Sequence, residues 1–149
     1  MQINHILVTT DLSEEALRPC ASIAEIARNR GARITLLHVV EEAMSAPRGA
    51  PLAPPVTSAD LADRMAFARE KIAEHGAAFG DDVPVTLDVI SGGNMAATIG
   101  NYARENDVDM IAMSTHGRTG FRRMILGSVA EELLRKSPVP VLVFPRYQE

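Results

Sequence analysis

Cysteine is nearly missing from this chain: Cys20 stands alone, which excludes an internal disulfide and a metal site built from several thiolates. It reads as a small apolar residue of a helix. Long hydrophobic runs are also missing, and no apolar stretch approaches the ~20 residues of a membrane span. The start, Met1-Gln2-Ile3-Asn4-His5, has no basic segment followed by a long apolar one, so no secretory signal is expected. A cytoplasmic protein with no membrane partner is the expectation. Basic excess is lacking too. A formal charge of −4 argues against a nucleic-acid partner, because such binding is driven by a basic surface. What remains is 149 residues, 46% hydrophobic and 23% charged, enough for one domain over 1–149 with a core that needs no staples.

Five short apolar runs rich in β-branched residues recur along the chain: Ile3 to Thr9, Arg33 to Val40, Val85 to Ile90, Met110 to Thr115 and Pro140 to Phe144. Several are continuous rather than alternating, as in Ile34-Thr35-Leu36-Leu37-His38-Val39-Val40, the pattern of a strand covered on both faces. Helical periodicity fills the intervals. Ser13 is placed to cap a first helix with Glu14 and Glu15 in its first turn, an inner stripe of Leu17, Cys20, Ala21, Ala24 and Ala27, and Gly31 at its end. Pro19 inside that helix predicts a kink. Leu61, Met65, Ala68 and Ile72 share one face of a second helix that stops near Gly76. A third runs from about Met95 to Asn106 with Ile99, Tyr102 and Ala103 inward. A fourth starts at Gly127-Ser128, buries Val129, Leu133 and Leu134, and stops at Ser137-Pro138. The order β-α-β-α-β-α-β-α-β with right-handed crossovers predicts an α/β fold: an open, doubly wound, parallel five-stranded sheet with helices on both faces, Rossmann-like. Ligands bind such sheets beyond the carboxyl ends of the strands, where the winding reverses. Residues 43–56 hold four prolines and little periodicity and read as a flexible surface loop.

The segment that carries chemistry is Ser114-Thr115-His116-Gly117-Arg118-Thr119-Gly120-Phe121-Arg122-Arg123-Met124-Ile125-Leu126-Gly127-Ser128. It leaves a buried strand, passes through small residues and enters a helix. Gly117 and Gly127 leave room for backbone N–H groups to approach an anion, and the helix start adds unpaired donors and a positive dipole end. Ser128 offers a hydroxyl to phosphate. Folding alone could explain small residues in such a turn. The cluster Arg118, Arg122 and Arg123, with no acidic residue between Asp109 and Glu131, has no obvious core role and points to an anion. The segment is neither a P-loop, since no Lys follows the last glycine, nor a G-x-G-x-x-G fingerprint. Ser91-Gly92-Gly93-Asn94 lacks the Asp-Ser of pyrophosphatase-type loops and reads as a plain turn.

This segment resembles the G-x2-G-x9-G-[ST] nucleotide motif of universal stress proteins, with Gly117, nine intervening residues and then Gly127-Ser128. The resemblance extends over the chain through Ile6-Leu7-Val8-Thr9-Thr10-Asp11-Leu12-Ser13, Leu36-Leu37-His38-Val39, Asp109-Met110-Ile111-Ala112-Met113 and Pro140-Val141-Leu142-Val143-Phe144. It implies the family's adenine nucleotide alpha hydrolase-like fold and a bound ATP, ADP or AMP with Mg²⁺ or Mn²⁺ on the phosphates. By position, it places Asp11 near the ribose, Thr9 or Thr10 near the base, and Val39 along the adenine with Met113 close by. Gly117, Arg118, Gly127, Ser128 and Val129 would surround the phosphates. The chain departs from the motif at Ser114, where the family has glycine, and at Met95, where a proline often follows the third strand's glycine. The family also implies a homodimer formed through the last strand, Val139 to Phe144, an apolar edge in need of a partner.

Read without the family, Asp11 just before Ser13 serves a turn or a cap. His116 has no partnered acid, and His5, His38 and His75 are scattered with no metal spacing between them. Three functions therefore stay open. The first is an ATP-binding regulatory or stress-response protein with slow hydrolysis at most. The second is a dimeric interaction module with an empty pocket. The third is an adenine-nucleotide enzyme, such as an adenylyl transferase, for which 149 residues leave little room.

Overall fold

The computed structural model describes residues 1–42, 58–115 and 126–145. Five parallel strands form one sheet: β1 (His5–Thr9), β2 (Arg33–Glu41), β3 (Val85–Gly92), β4 (Met110–Ser114) and β5 (Val141–Phe144), in the order β3-β2-β1-β4-β5. Between them run α1 (Arg18–Arg30), α2 (Ser58–Gly76), α3 (Met95–Glu105) and α4 (Ser128–Lys136). The expected architecture is the one found. Strand β1 lies at the centre, and its Ile6, Leu7 and Val8 are wholly buried, as a continuous apolar run requires. The pleat sorts them: Ile6 and Val8 pack with α1 and α2 on one face, and Leu7 packs with α3 and α4 on the other. Among the described residues no helix is long and apolar enough to cross a membrane. The proline-rich segment at 43–56 lies outside the described residues.

Helix boundaries depart from the expected pattern in instructive ways. A 3₁₀ turn over Glu14–Leu17 precedes α1, so Pro19 falls in the first turn of the helix, where its missing N–H breaks no bond. The predicted kink is thus replaced by a change of helix type. Starting at Arg18 also shifts the inward stripe to Cys20, Ile23, Ala24 and Ala27, leaving Ala21 exposed. Gly31 ends α1 at φ 67°, a left-handed position suited to glycine, and its N–H reaches the carbonyls of Ala27 and Arg28. In α4, Ala130 and Leu133 are buried while Leu134 is 48% exposed, because the short helix meets the sheet along one narrow face. Val129 is half-buried. In α3, Ile99 and Ala103 face inward, and the half-buried Tyr102 hydroxyl donates to Asp88 at 2.8 Å.

The amino ends of the strands are tied by one polar cluster. The Asp109 carboxylate accepts the N–H groups of Asn4 and His5 at 2.7 and 2.9 Å, joining the starts of β1 and β4. These bonds hold its pKa below the ordinary 3.8. The buried His5 ring places Nδ1 3.0 Å from the Asn106 carbonyl and Nε2 2.8 Å from the Thr35 hydroxyl. Burial pushes the His5 pKa below 6.5, and the Arg33 charge, 3.1 Å from Nδ1, adds to that. The fold therefore resists protonation that the unfolded chain accepts. His5 contributes fully above its unfolded value of about 6.5 and less as pH falls below it. The urea midpoint should fall between about pH 7.5 and pH 5.5, and fall less in His5→Gln. Equal slopes in both proteins would remove His5 from this account.

Candidate ligand-binding cavity

The winding reverses between β1 and β4, and at their carboxyl ends the chain leaves a cavity of about 340 Å³, within the size range of small-molecule sites. Its floor is apolar: Leu37 and Val39 come from β2, Met113 from β4, Ile99 from α3 and Ala130 from α4. Its rim is polar, made by Thr9 at the end of β1 with Thr10 and Asp11 beyond it, by Ser114 at the end of β4 with Thr115 beyond it, and by Gly127, Ser128 and Val129 at the start of α4. Residues far apart in sequence and singled out for one ligand thus share one cavity. Two others singled out with them, Gly117 and Arg118, lie outside the described residues, as do His116, Arg122 and Arg123.

The rim is rich in hydrogen-bonding groups. Helix α4 closes its first intrahelical bond from the Glu131 N–H to the Gly127 carbonyl at 2.9 Å. The amides of Ser128, Val129 and Ala130 therefore precede any intrahelical acceptor, and the helix dipole adds positive potential there. Gly127 adopts φ −60°, which any residue tolerates, so its requirement is one of space. Its N–H donates to the Thr115 carbonyl at 3.3 Å, and a Cβ at this position would stand 3.1 Å from that same oxygen. Glycine lets the start of α4 close against the end of β4.

Asp11 performs the local role its sequence neighbours suggest. Its Oδ1 accepts the Ser13 N–H at 3.0 Å and also the Ser13 hydroxyl. Ser13 therefore spends its side chain on Asp11, and only its carbonyl meets the turn it precedes, accepting the Ala16 N–H at 3.2 Å, contrary to the expected side-chain cap. Among the described residues no bond falls on Asp11 Oδ2, which leaves an acceptor at the rim. Leu12, between them, sits at φ 67°, a left-handed backbone that costs a leucine about 1–2 kcal/mol.

Sequence reasoning did not single out Leu37, Met95, Ile99, Thr115, Ala16 or Ala130 for the cavity, although all line it. Leu37 was findable by alternation, two residues before Val39 on the same face of β2. Met95 carried only its departure from proline. It also borders a second cavity of about 610 Å³, which shares Asp11 and Val39 with the first and is lined further by His38, Glu41, Arg64 and Phe67. Among the described residues no group of three or more His, Cys, Asp or Glu is placed to hold a metal ion.

The Asp11–Ser13 pairing is directly testable. Ser13→Ala should lower stability by about 0.5–1.5 kcal/mol, the worth of one such hydrogen bond, in a denaturant titration. No change would mean that the turn is held without that hydroxyl.

Comparison with known proteins places this geometry in context. The family model described as the universal stress protein family matches residues 2–145. The universal stress protein YxiE of Bacillus subtilis is 27% identical over 144 residues, which cover 94% of this chain and 97% of that protein. The structure of MJ0577, a universal stress protein of Methanocaldococcus jannaschii, superposes with a TM-score of 0.79 at 26% identity and covers all of both chains. A universal stress protein from Archaeoglobus fulgidus, solved in complex with dAMP, has a TM-score of 0.58 at 22% identity over 96% of this chain and 98% of its own.

Proposed function

The chain belongs to the universal stress protein family, and from that premise we propose that its cavity binds an adenine nucleotide, ATP foremost, in a regulatory, cytoplasmic role with slow hydrolysis at most. One observation carries this reading. Thr9, Thr10, Asp11, Val39, Met113, Ser114, Gly127, Ser128 and Val129, picked out by position along the sequence, all line a single cavity with the amino end of α4 on its rim. The apolar floor suits a flat base, the free Asp11 oxygen suits a ribose hydroxyl, and the α4 amides suit phosphate oxygens. Gly117 and Arg118 complete the phosphate contacts in this reading. Mg²⁺ or Mn²⁺ accompanies the nucleotide through phosphate oxygens and water rather than through a protein cage. The dAMP held by the Archaeoglobus protein supports the adenine preference by likeness of fold. Residues 1–149 act as one domain.

Calorimetric titration with ATP, ADP and AMP tests the site. A valine at Gly127 puts a branched side chain where a Cβ alone would stand 3.1 Å from the Thr115 carbonyl, so Gly127→Val should weaken binding by about tenfold or more, a loss of about 1.4 kcal/mol. If ATP binds the wild type and this variant alike, the loop has been assigned wrongly.

We also propose a homodimer through β5. This strand pairs with β4 on one side, and its residues Val141 to Phe144 are all half-buried, an apolar edge suited to a symmetry-related copy. Replacing Val141 and Val143 with aspartate should give monomers by sedimentation, with far-UV circular dichroism as the check on folding. Dimers that persist in the folded variant would place the interface elsewhere.

A further inference from the structure

Two histidines that look unrelated in the sequence meet at one residue of the cavity rim. Thr10 follows β1, is 6% exposed, and lies on the rim beside Asp11. Its carbonyl is 2.8 Å from Nδ1 of His38 on β2. A carbonyl oxygen only accepts, so Nδ1 of His38 donates. The Thr10 hydroxyl oxygen accepts the Leu12 N–H at 3.0 Å. Its own hydrogen is then available to Nδ1 of His75, 3.4 Å away on α2, and the His75 side chain is itself buried. Three elements thus converge on Thr10, and Thr10 in turn holds the amide of Leu12.

That convergence has a mechanical consequence. The turn it holds contains Leu12 in a left-handed conformation, which persists only where surrounding bonds determine it. On one side of Leu12 the hold is Thr10 Oγ1. On the other it is the bond from the Ser13 N–H to Asp11 Oδ1. Asp11 lies between the two, so the direction of its carboxylate depends on the turn keeping this shape. We infer that His38 and His75 are positioning residues of the cavity, which act through Thr10 to fix the strained 10–13 turn and so present Asp11 to the ligand.

This inference rests on the nucleotide reading of the cavity, and its test has one arm that needs no ligand. In amide hydrogen exchange without nucleotide, His38→Leu and His75→Leu should each speed exchange at Leu12 and Ser13 by about tenfold and leave Leu7 of β1 and Ile111 of β4 unchanged. His38→Asn keeps a donor near the Nδ1 position, and His75→Asn keeps an acceptor there, so both should stay near wild-type exchange. In titrations with ATP the leucine variants should lose about tenfold in affinity, and the asparagine variants should recover most of it. Unchanged exchange at Leu12 and Ser13 overturns the inference. So does a rise shared equally by Leu7 and Ile111, which is general destabilisation, or a local rise with no loss of ATP affinity. A wild type that binds no nucleotide sinks the ligand reading of the cavity instead, and the exchange arm still decides whether the histidines hold the turn.

Discussion

Burial of β1 on both faces is the constraint from which the rest of the molecule follows. Ile6, Leu7 and Val8 have no exposed surface, so every neighbour they have must be supplied by the chain itself: β2 and β4 at the edges, α1 and α2 above, α3 and α4 below. Burying each such side chain contributes about 1.5–3 kcal/mol, and together they outweigh any single polar contact on the surface. A right-handed crossover leads from β1 to β2 on one flank, and β4 must therefore approach on the other. The helices on either side of that reversal cannot close over both strand ends. The gap between them is where the cavity forms.

The polar machinery divides along the sheet axis. At the amino ends, Asp109 and His5 spend their bonding capacity on backbone and on Thr35, and they are satisfied within the fold. At the carboxyl ends, the α4 amides and one Asp11 oxygen lack intramolecular partners among the described residues. Satisfied groups serve stability, whereas partnerless groups around a hollow are suited to a ligand. The surface ion pairs, Arg135 with Glu131 and Lys136 with Glu132, are exposed helical pairs that contribute little to either end.

Much of the fold was legible because it rests on short-range rules. Continuous apolar runs marked β1, β2 and β4 as doubly covered, and Gly31 marked the end of α1. Errors arose where two local conformations compete. A 3₁₀ turn and an α-helix share the span from Glu14 to Arg30, and a stripe read as one helix put Ala21 inside and Ile23 out of sight. Leu134 looked apolar enough to be core, but only the packing of α4 on the sheet decides which side of so short a helix is covered. In the candidate site, Thr9, Thr10, Asp11 and Val39 were reached through the family resemblance, whereas lining residues to which the resemblance assigns no role, Leu37 and Ala130 among them, were not. Ile99 and Met95 border the cavity because α3 crosses it. The link between His38 and His75 was invisible for the same reason, since thirty-odd residues of chain separate two rings that meet at Thr10.

Met95 stands as a shared wall between two hollows, one of about 340 Å³ and one of about 610 Å³. Its side chain is unbranched and turns about three bonds, so its thioether can lean either way at small cost. A guest seated in either hollow therefore meets a side chain able to yield to it. A stiff ring such as proline at the same place would lack that freedom and give the wall one fixed shape.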